Sequence, residues 1–140
     1  MTFLDSNMLV YAVDTADRRK HAIALDILAE ALDNPAEWRI SSQVLSEFSN
    51  VLIRKLSCPA PRLVAFLDQL EGIPCFDMTL ACVRRAVEIQ ALYGIQFFDA
   101  QMVAAAEATN CSRIVSEDFN PAQTYCGIVV ENPFSPPKRR

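Results

Sequence analysis

Histidine is almost absent from this sequence, His21 being the only one. A lone imidazole supports neither a histidine-based metal site nor a histidine-centred catalytic triad. No C-x-x-C pair occurs among Cys58, Cys75, Cys82, Cys111 and Cys126, and five thiols cannot all pair within one chain, so reduced cysteines in a cytoplasmic protein are expected. No apolar run is long enough to span a bilayer, and no basic region precedes the opening MTFLDSNMLVYAVD as a signal peptide requires. The expectation is no export and no membrane partner. Positive charge is also short: a net charge of −4 repels a polyanion unless cations, a local patch or a partner offset it. No lysine stands between Lys55 and Lys138, and no internal repeat or interdomain linker interrupts the chain.

What is present describes one folded unit. The chain has 140 residues, 51% of them hydrophobic and 21% charged, enough to close a core without disulfides and too apolar for extended disorder. A domain over residues 1–132 is expected, followed by a flexible proline-rich basic tail at 133–140 that ends in Lys138, Arg139 and Arg140.

Local patterns set the fold class. Residues 2–4 read as a buried strand running into a turn at Asp5-Ser6-Asn7, residue types suited to a helix cap. Ile23, Ala24, Ile27, Leu28 and Ala31 recur at helical spacing within 17–32, and Asn34-Pro35 closes that run. A strand at 38–40 ends at Ser41-Ser42, which cap a helix over 43–56, and prolines at 59 and 61 break the chain. Helices over 62–70, from Thr79 to Gly94 and over 97–108 alternate with strands at 73–76, 113–115 and 127–130. Such alternation predicts an α/β fold: a three-layer α/β/α sandwich with a mainly parallel central sheet, whose ligand crevice lies beyond the carboxyl ends of the strands.

Four acids stand where that crevice would receive them. Asp5 follows the first strand and Asp118 follows the strand ending near Val115, although aspartates also end strands for local hydrogen-bonding reasons. Glu47 shares its helix face with Val44, Phe48, Val51 and Leu52, where an ionised carboxylate costs several kcal/mol unless something pairs with it, and no local partner is evident. Asp99 opens a helix whose line Met102, Val103 and Ala106 is apolar, and there capping and metal binding are both open. Brought together, such carboxylates raise one another's pKa until a cation neutralises them, and an oxygen-only set suits Mg²⁺ or Mn²⁺ rather than zinc.

In FLDSNMLVYA around Asp5, SSQVLSEFSNVL around Glu47, FFDAQMVAAA around Asp99 and IVSEDF around Asp118, the chain resembles the PIN-domain ribonucleases, in particular the VapC-like toxins of type II toxin-antitoxin systems. The resemblance implies a metal-binding catalytic site at Asp5, Glu47, Asp99 and Asp118, with Asn7 and Ser116 at accessory, substrate-binding positions. It also implies hydrolysis of RNA phosphodiester bonds, a homodimer, and inhibition by a cognate antitoxin. Asp5 and Asp99 would hold the principal ion, Asp118 would complete its shell directly or through water, and Glu47 would serve a second ion or orient the nucleophile. Asp118 is preferred over its neighbour Glu117 as the fourth acid. Arg18, Arg19, Lys20, Arg54 and Lys55 are candidates for gripping RNA, and Phe97-Phe98 for stacking on a base unless they pack in the core. A non-catalytic receiver-like or PIN-like module with an acidic pocket is the competing reading. The missing late lysine argues against a receiver, and Asn7 stands where a phosphatase of the haloacid-dehalogenase type needs a second aspartate.

Overall fold

A computed structural model describes residues 1–120 and 123–135. In chain order it contains β1 (Thr2–Leu4), α1 (Ser6–Tyr11), α2 (Arg18–Asp33), β2 (Trp38–Ser41), α3 (Ser42–Arg54), α4 (Ala60–Leu70), β3 (Cys75–Phe76), α5 (Leu80–Tyr93), α6 (Phe97–Ala108), β4 (Arg113–Val115), β5 (Thr124–Tyr125) and β6 (Ile128–Glu131). The sheet order is β3-β2-β1-β4-β6-β5, and every pairing is parallel except that of β5 with β6. This is the expected α/β architecture, a mostly parallel sheet flanked by helices.

Cap chemistry explains where the helices begin and end. The Ser41 hydroxyl accepts from Val44 N at 3.3 Å and the Thr79 hydroxyl from Cys82 N at 3.1 Å, each satisfying a first-turn N–H that the helix cannot. Gly94 ends α5 with φ 66°, the left-handed conformation glycine adopts without strain. Pro61 does not interrupt α4 but lies in its first turn, where the missing N–H costs nothing. Three further differences from the sequence pattern concern short elements. The turn after β1 continues into α1, Ile73 lies buried just before β3 rather than in it, and β5 forms a hairpin with β6.

The topology fixes where a site can form. Chain order steps from β1 through β2 to β3 and then returns across to β4, so with right-handed crossovers the connecting helices fall on opposite faces. β1 and β4, adjacent in the sheet, therefore flank the point where the direction reverses, and their carboxyl ends open onto one crevice. Phe3, Leu4, Ile114 and Val115 bury this centre. In α6, Ala100, Ala104, Ala105 and Ala106 are wholly buried, and such small side chains let the helix sit close to its neighbours.

The segment expected as a flexible tail divides. Phe134 is 6% exposed, its ring meets Tyr11 edge-on at 5.1 Å, and its carbonyl accepts from Arg19 at 2.7 Å. Residues 136–140, including the basic cluster, lie outside the described residues. Among the described residues no helix is long and apolar enough to cross a membrane.

Candidate active site

Asp5 caps α1 at the carboxyl end of β1 and is 1% exposed. Its Oδ1 accepts from Ser6 N at 2.6 Å and Ser6 Oγ at 3.3 Å, and its Oδ2 from Ser116 Oγ at 2.5 Å and Asn7 Nδ2 at 3.4 Å. Burial pushes its pKa up to about 7. The bonds from Ser116 and Ser6 pull it down, and the charges of Asp118 and Glu47 raise it further. A buried carboxylate is thus held at the border of ionisation near neutral pH.

Glu47 has partners that the sequence pattern did not reveal. One turn earlier on α3, Gln43 Nε2 donates to Oε1 at 2.7 Å, and Ser6 Oγ reaches Oε2 at 3.0 Å. Gln43 is fixed in turn by Gln101 Nε2, 2.8 Å from its amide oxygen, and by its own bond to the Phe98 carbonyl at 3.0 Å. The expectation of an unpartnered acid is corrected: Glu47 is half-buried inside a network joining α1, α3 and α6.

Asp99, half-buried in the first turn of α6, has its pKa raised to about 6, first by burial and then by the charges of Asp118 and Glu47. Among the described residues it accepts no hydrogen bond. Asp118 is exposed, and its backbone N–H donates to Ser116 Oγ at 3.1 Å, so one hydroxyl braces both Asp5 and the loop carrying Asp118. Glu117 is engaged differently: Lys20 binds it and also donates to the Tyr11 hydroxyl at 3.3 Å. The fold therefore brings Glu47 and Asp118 within electrostatic reach of both Asp5 and Asp99 and leaves Glu117 in an ion pair.

These four acids are not a ready-made shell. Among the described residues no three histidine, cysteine, aspartate or glutamate side chains are grouped closely enough to share one ion. The donor chemistry nonetheless fits a hard dication: oxygen atoms throughout, two carboxyls pushed toward neutrality, and beside Asp5 the buried Asn7 Oδ1 with no hydrogen-bond partner. A cation would be met by charge that the fold leaves uncompensated.

A cleft of about 450 Å³ opens beside the acids; Ser6, Asn7, Glu47, Glu117 and Asp118 line it, and along α3 its wall continues through Asn50 and Val51 to Lys55 and Leu56. Asp5 and Asp99 do not form its walls. Of the cations expected to grip substrate, Lys55 lines this cleft. Arg19 holds the Phe134 carbonyl, Lys20 is paired with Glu117, and Arg18 and Arg54 are exposed elsewhere. Phe97 packs against the core, whereas Phe98 is 57% exposed beside it, the two rings 5.6 Å apart. Sequence reasoning missed Ser6, Gln43 and Gln101. The signal for Gln43 was its place four residues before Glu47, and for Gln101 a lone amide in an alanine-rich helix two residues after Asp99.

A PIN domain family model matches residues 2–125. No curated protein sequence matches the chain. Among solved structures, the chain is similar to the VapC20 toxin of Mycobacterium tuberculosis, described as cleaving the sarcin-ricin loop. Identity is 20%, with 81% of this chain and 87% of that one covered at a TM-score of 0.66. It is similar also to VapBC2 from Rickettsia felis bound to a promoter DNA fragment (20% identity, 94% and 97% covered, TM-score 0.67). A toxin-antitoxin complex from Klebsiella pneumoniae is comparable (17% identity, 96% and 98% covered, TM-score 0.69).

Proposed function

The chain belongs to the PIN domain family, and on that premise we propose that it is an endoribonuclease dependent on Mg²⁺ or Mn²⁺, the toxin of a toxin-antitoxin pair. The observation that carries this reading is the pair of strained acids at the switch point. Asp5 is pushed to about 7 and Asp99 to about 6, with Glu47 and Asp118 adding to the repulsion. A fold sustains such a cluster at a cost to its own stability, which is expected where binding or catalysis needs it.

Asp5 and Asp99 would hold the principal cation, with Asp118 directly or through water. Glu47 would serve a second ion or orient the attacking water, and Asn7 Oδ1 is an available neutral donor. When bound, such an ion supplies Lewis acidity to a phosphate and makes a neighbouring water easier to deprotonate. The remaining tasks fall to the chain's own groups. Ser116 and the Ser6 N–H fix both oxygens of Asp5, so that its lone pairs keep one orientation. Gln43 and Ser6 each donate to one oxygen of Glu47, which fixes the orientation of a carboxylate that lines the cleft. Asp118, the exposed member, is placed to meet substrate or solvent. Preorganisation of this kind removes the cost of arranging charges during reaction.

The partners follow the same reading. A cognate antitoxin is proposed because two of the similar structures are complexes described as toxin-antitoxin or VapBC assemblies. A second copy of the chain is proposed as a homodimer partner, and Leu80 (68% exposed) and Val87 (57% exposed), seven residues apart on α5, are apolar surface it would cover. A cytoplasmic location accords with a substrate found there.

The test is cleavage of RNA by purified protein with Mg²⁺ or Mn²⁺, arrested by chelator and restored by added cation. Asp5→Asn and Asp99→Asn each abolish it under this reading; full activity in both variants rejects it. A folded but inert wild type would favour the non-catalytic acidic-pocket module instead. Expression of the chain should arrest growth, and a co-expressed neighbouring antitoxin should relieve the arrest.

A further inference from the structure

Helix α3 and its C-cap present a graded series along one wall of the cleft: the Glu47 carboxylate, the Asn50 amide, the Val51 side chain and the Lys55 ammonium. Offsets of three, four and eight residues from Glu47 keep these groups on one side of a helix, and a 1.5 Å rise per residue sets Lys55 about 12 Å along the axis from Glu47. Val10 of α1 and Leu56 join Val51 in an apolar floor. Every other charged residue lining the cleft is an acid, namely Asp14, Glu47, Glu117 and Asp118. Among the described residues Lys55 has no carboxylate partner, unlike Lys20, Arg85 and Arg113. Asp14 stands near Leu56 on the same arm but forms no ion pair with Lys55, so this cation, about two helical turns from Glu47, is available to hold an anion. The volume of about 450 Å³ suits a ligand of nucleotide size.

We propose, resting on the ribonuclease reading above, that this arm of the cleft is a nucleotide subsite flanking the bond to be cut. The base lies on Val10, Val51 and Leu56, Asn50 hydrogen-bonds its edge, and Lys55 holds the next phosphate. A base has an apolar face that any aliphatic floor accepts, so the floor gives affinity without discrimination. Discrimination needs a group that tells one edge from another, and an amide offers a donor and an acceptor side by side. Among the described residues lining the cleft, Lys55 is the one cation, and Asn50 is the amide that stands between it and Glu47 on α3. The two residues therefore divide the work: Asn50 sets base preference, and Lys55 sets affinity and its dependence on salt.

The experiment digests a randomised single-stranded RNA pool with the full chain and Mg²⁺, sequences the fragment ends, and measures KM and kcat on a preferred sequence at several salt concentrations. Asn50→Ala is expected to flatten the preference at one nucleotide beside the cut by on the order of ten-fold. Lys55→Gln is expected to raise KM several-fold with kcat kept, and to reduce the slope of log affinity against log salt by about 0.7, one phosphate contact on a single strand. Lys55→Arg restores KM. Arg113→Gln, which makes the same change in net charge at the amino end of β4, away from the crevice, leaves both constants unchanged. Asn50 and Lys55 are exposed, so melting temperatures should stay at the wild-type value. If wild type cuts RNA but shows no base preference, or either variant matches wild type, the subsite is overturned while the nuclease reading stands. A wild type that cuts no RNA overturns both.

Discussion

The Ser116 hydroxyl lies 2.5 Å from Asp5 Oδ2, 111 residues away in sequence, and the same oxygen accepts the Asp118 N–H at 3.1 Å. One small side chain thus ties the acid after β1 to the acid after β4. Because the bond from Ser116 lowers the Asp5 pKa against burial, Ser116→Ala should move it above about 7. The expected outcome is an alkaline shift of the acidic limb of the pH–rate profile, with a stability loss of roughly 1 kcal/mol. An unshifted limb would separate Ser116 from the state of Asp5.

Stability should fall with rising pH in chelator-treated protein. The Asp5 pKa is about 7 folded against 3.8 for the ordinary group, so between those values the folded state binds more protons than the unfolded one. The stabilisation is complete below about pH 4 and lost as pH climbs to about 7, by on the order of a few kcal/mol. Asp99, raised to about 6, acts in the same direction over a narrower window. Asp5→Asn should flatten the dependence and stabilise the chain at pH 8, and Mg²⁺ should stabilise wild type most at high pH. Urea midpoints at pH 5 and pH 8, with and without cation, decide this; equal midpoints would contradict it.

Much of the frame was legible because local chemistry dictates it. Ser41, Thr79 and Gly94 are cap and stop residues whose roles need no tertiary information, and the acids after β1 and β4 follow from where a parallel sheet opens. Less legible was whatever depends on contacts distant in sequence. The Ser6 hydroxyl meets Glu47 across 41 residues, and no periodicity announces it. α1 is six residues long, too short for a helical repeat to register, and β5 is two residues paired through a turn in which Cys126 takes φ 53°. Phe134 reads as tail because prolines surround it, yet Tyr11 and Arg19 hold it against the domain.

Gln43 should matter to rate more than to binding. It touches Glu47, Phe98 and Gln101 and no acid besides Glu47, so its contribution is to keep that carboxylate in one rotamer. Gln43→Ala is expected to lower kcat about ten-fold, with KM near wild type and a stability loss of ~1 kcal/mol or less. Gln43→Glu, which sets a like charge one turn from Glu47, should lower kcat further. Steady-state kinetics beside thermal melts separate this from simple destabilisation, since a structural role alone would lower the melting temperature and leave kcat of the folded fraction intact.

The adjacent acids Glu117 and Asp118 should part company on substitution. Lys20 binds Glu117 while its ammonium lies 4.9 Å from the Tyr11 ring centroid and 5.3 Å from that of Phe134, so this glutamate belongs to a clamp on the cleft rim. Asp118 instead raises the pKa of both Asp5 and Asp99, which places its charge with theirs. Asp118→Asn is therefore expected to reduce kcat by one to two orders of magnitude, a range of about 1.4 to 2.7 kcal/mol in the barrier. Glu117→Gln should leave kcat within about three-fold and cost no more than ~1 kcal/mol of stability, the usual worth of a partly exposed ion pair. Initial rates at saturating RNA distinguish the two, and a larger loss in Glu117→Gln than in Asp118→Asn would reverse the assignment. The stability effect gives an independent check: losing one partner of the clamp should loosen the packing of Phe134 on Tyr11, visible as faster amide exchange around residue 134, whereas Asp118→Asn should leave that exchange unchanged.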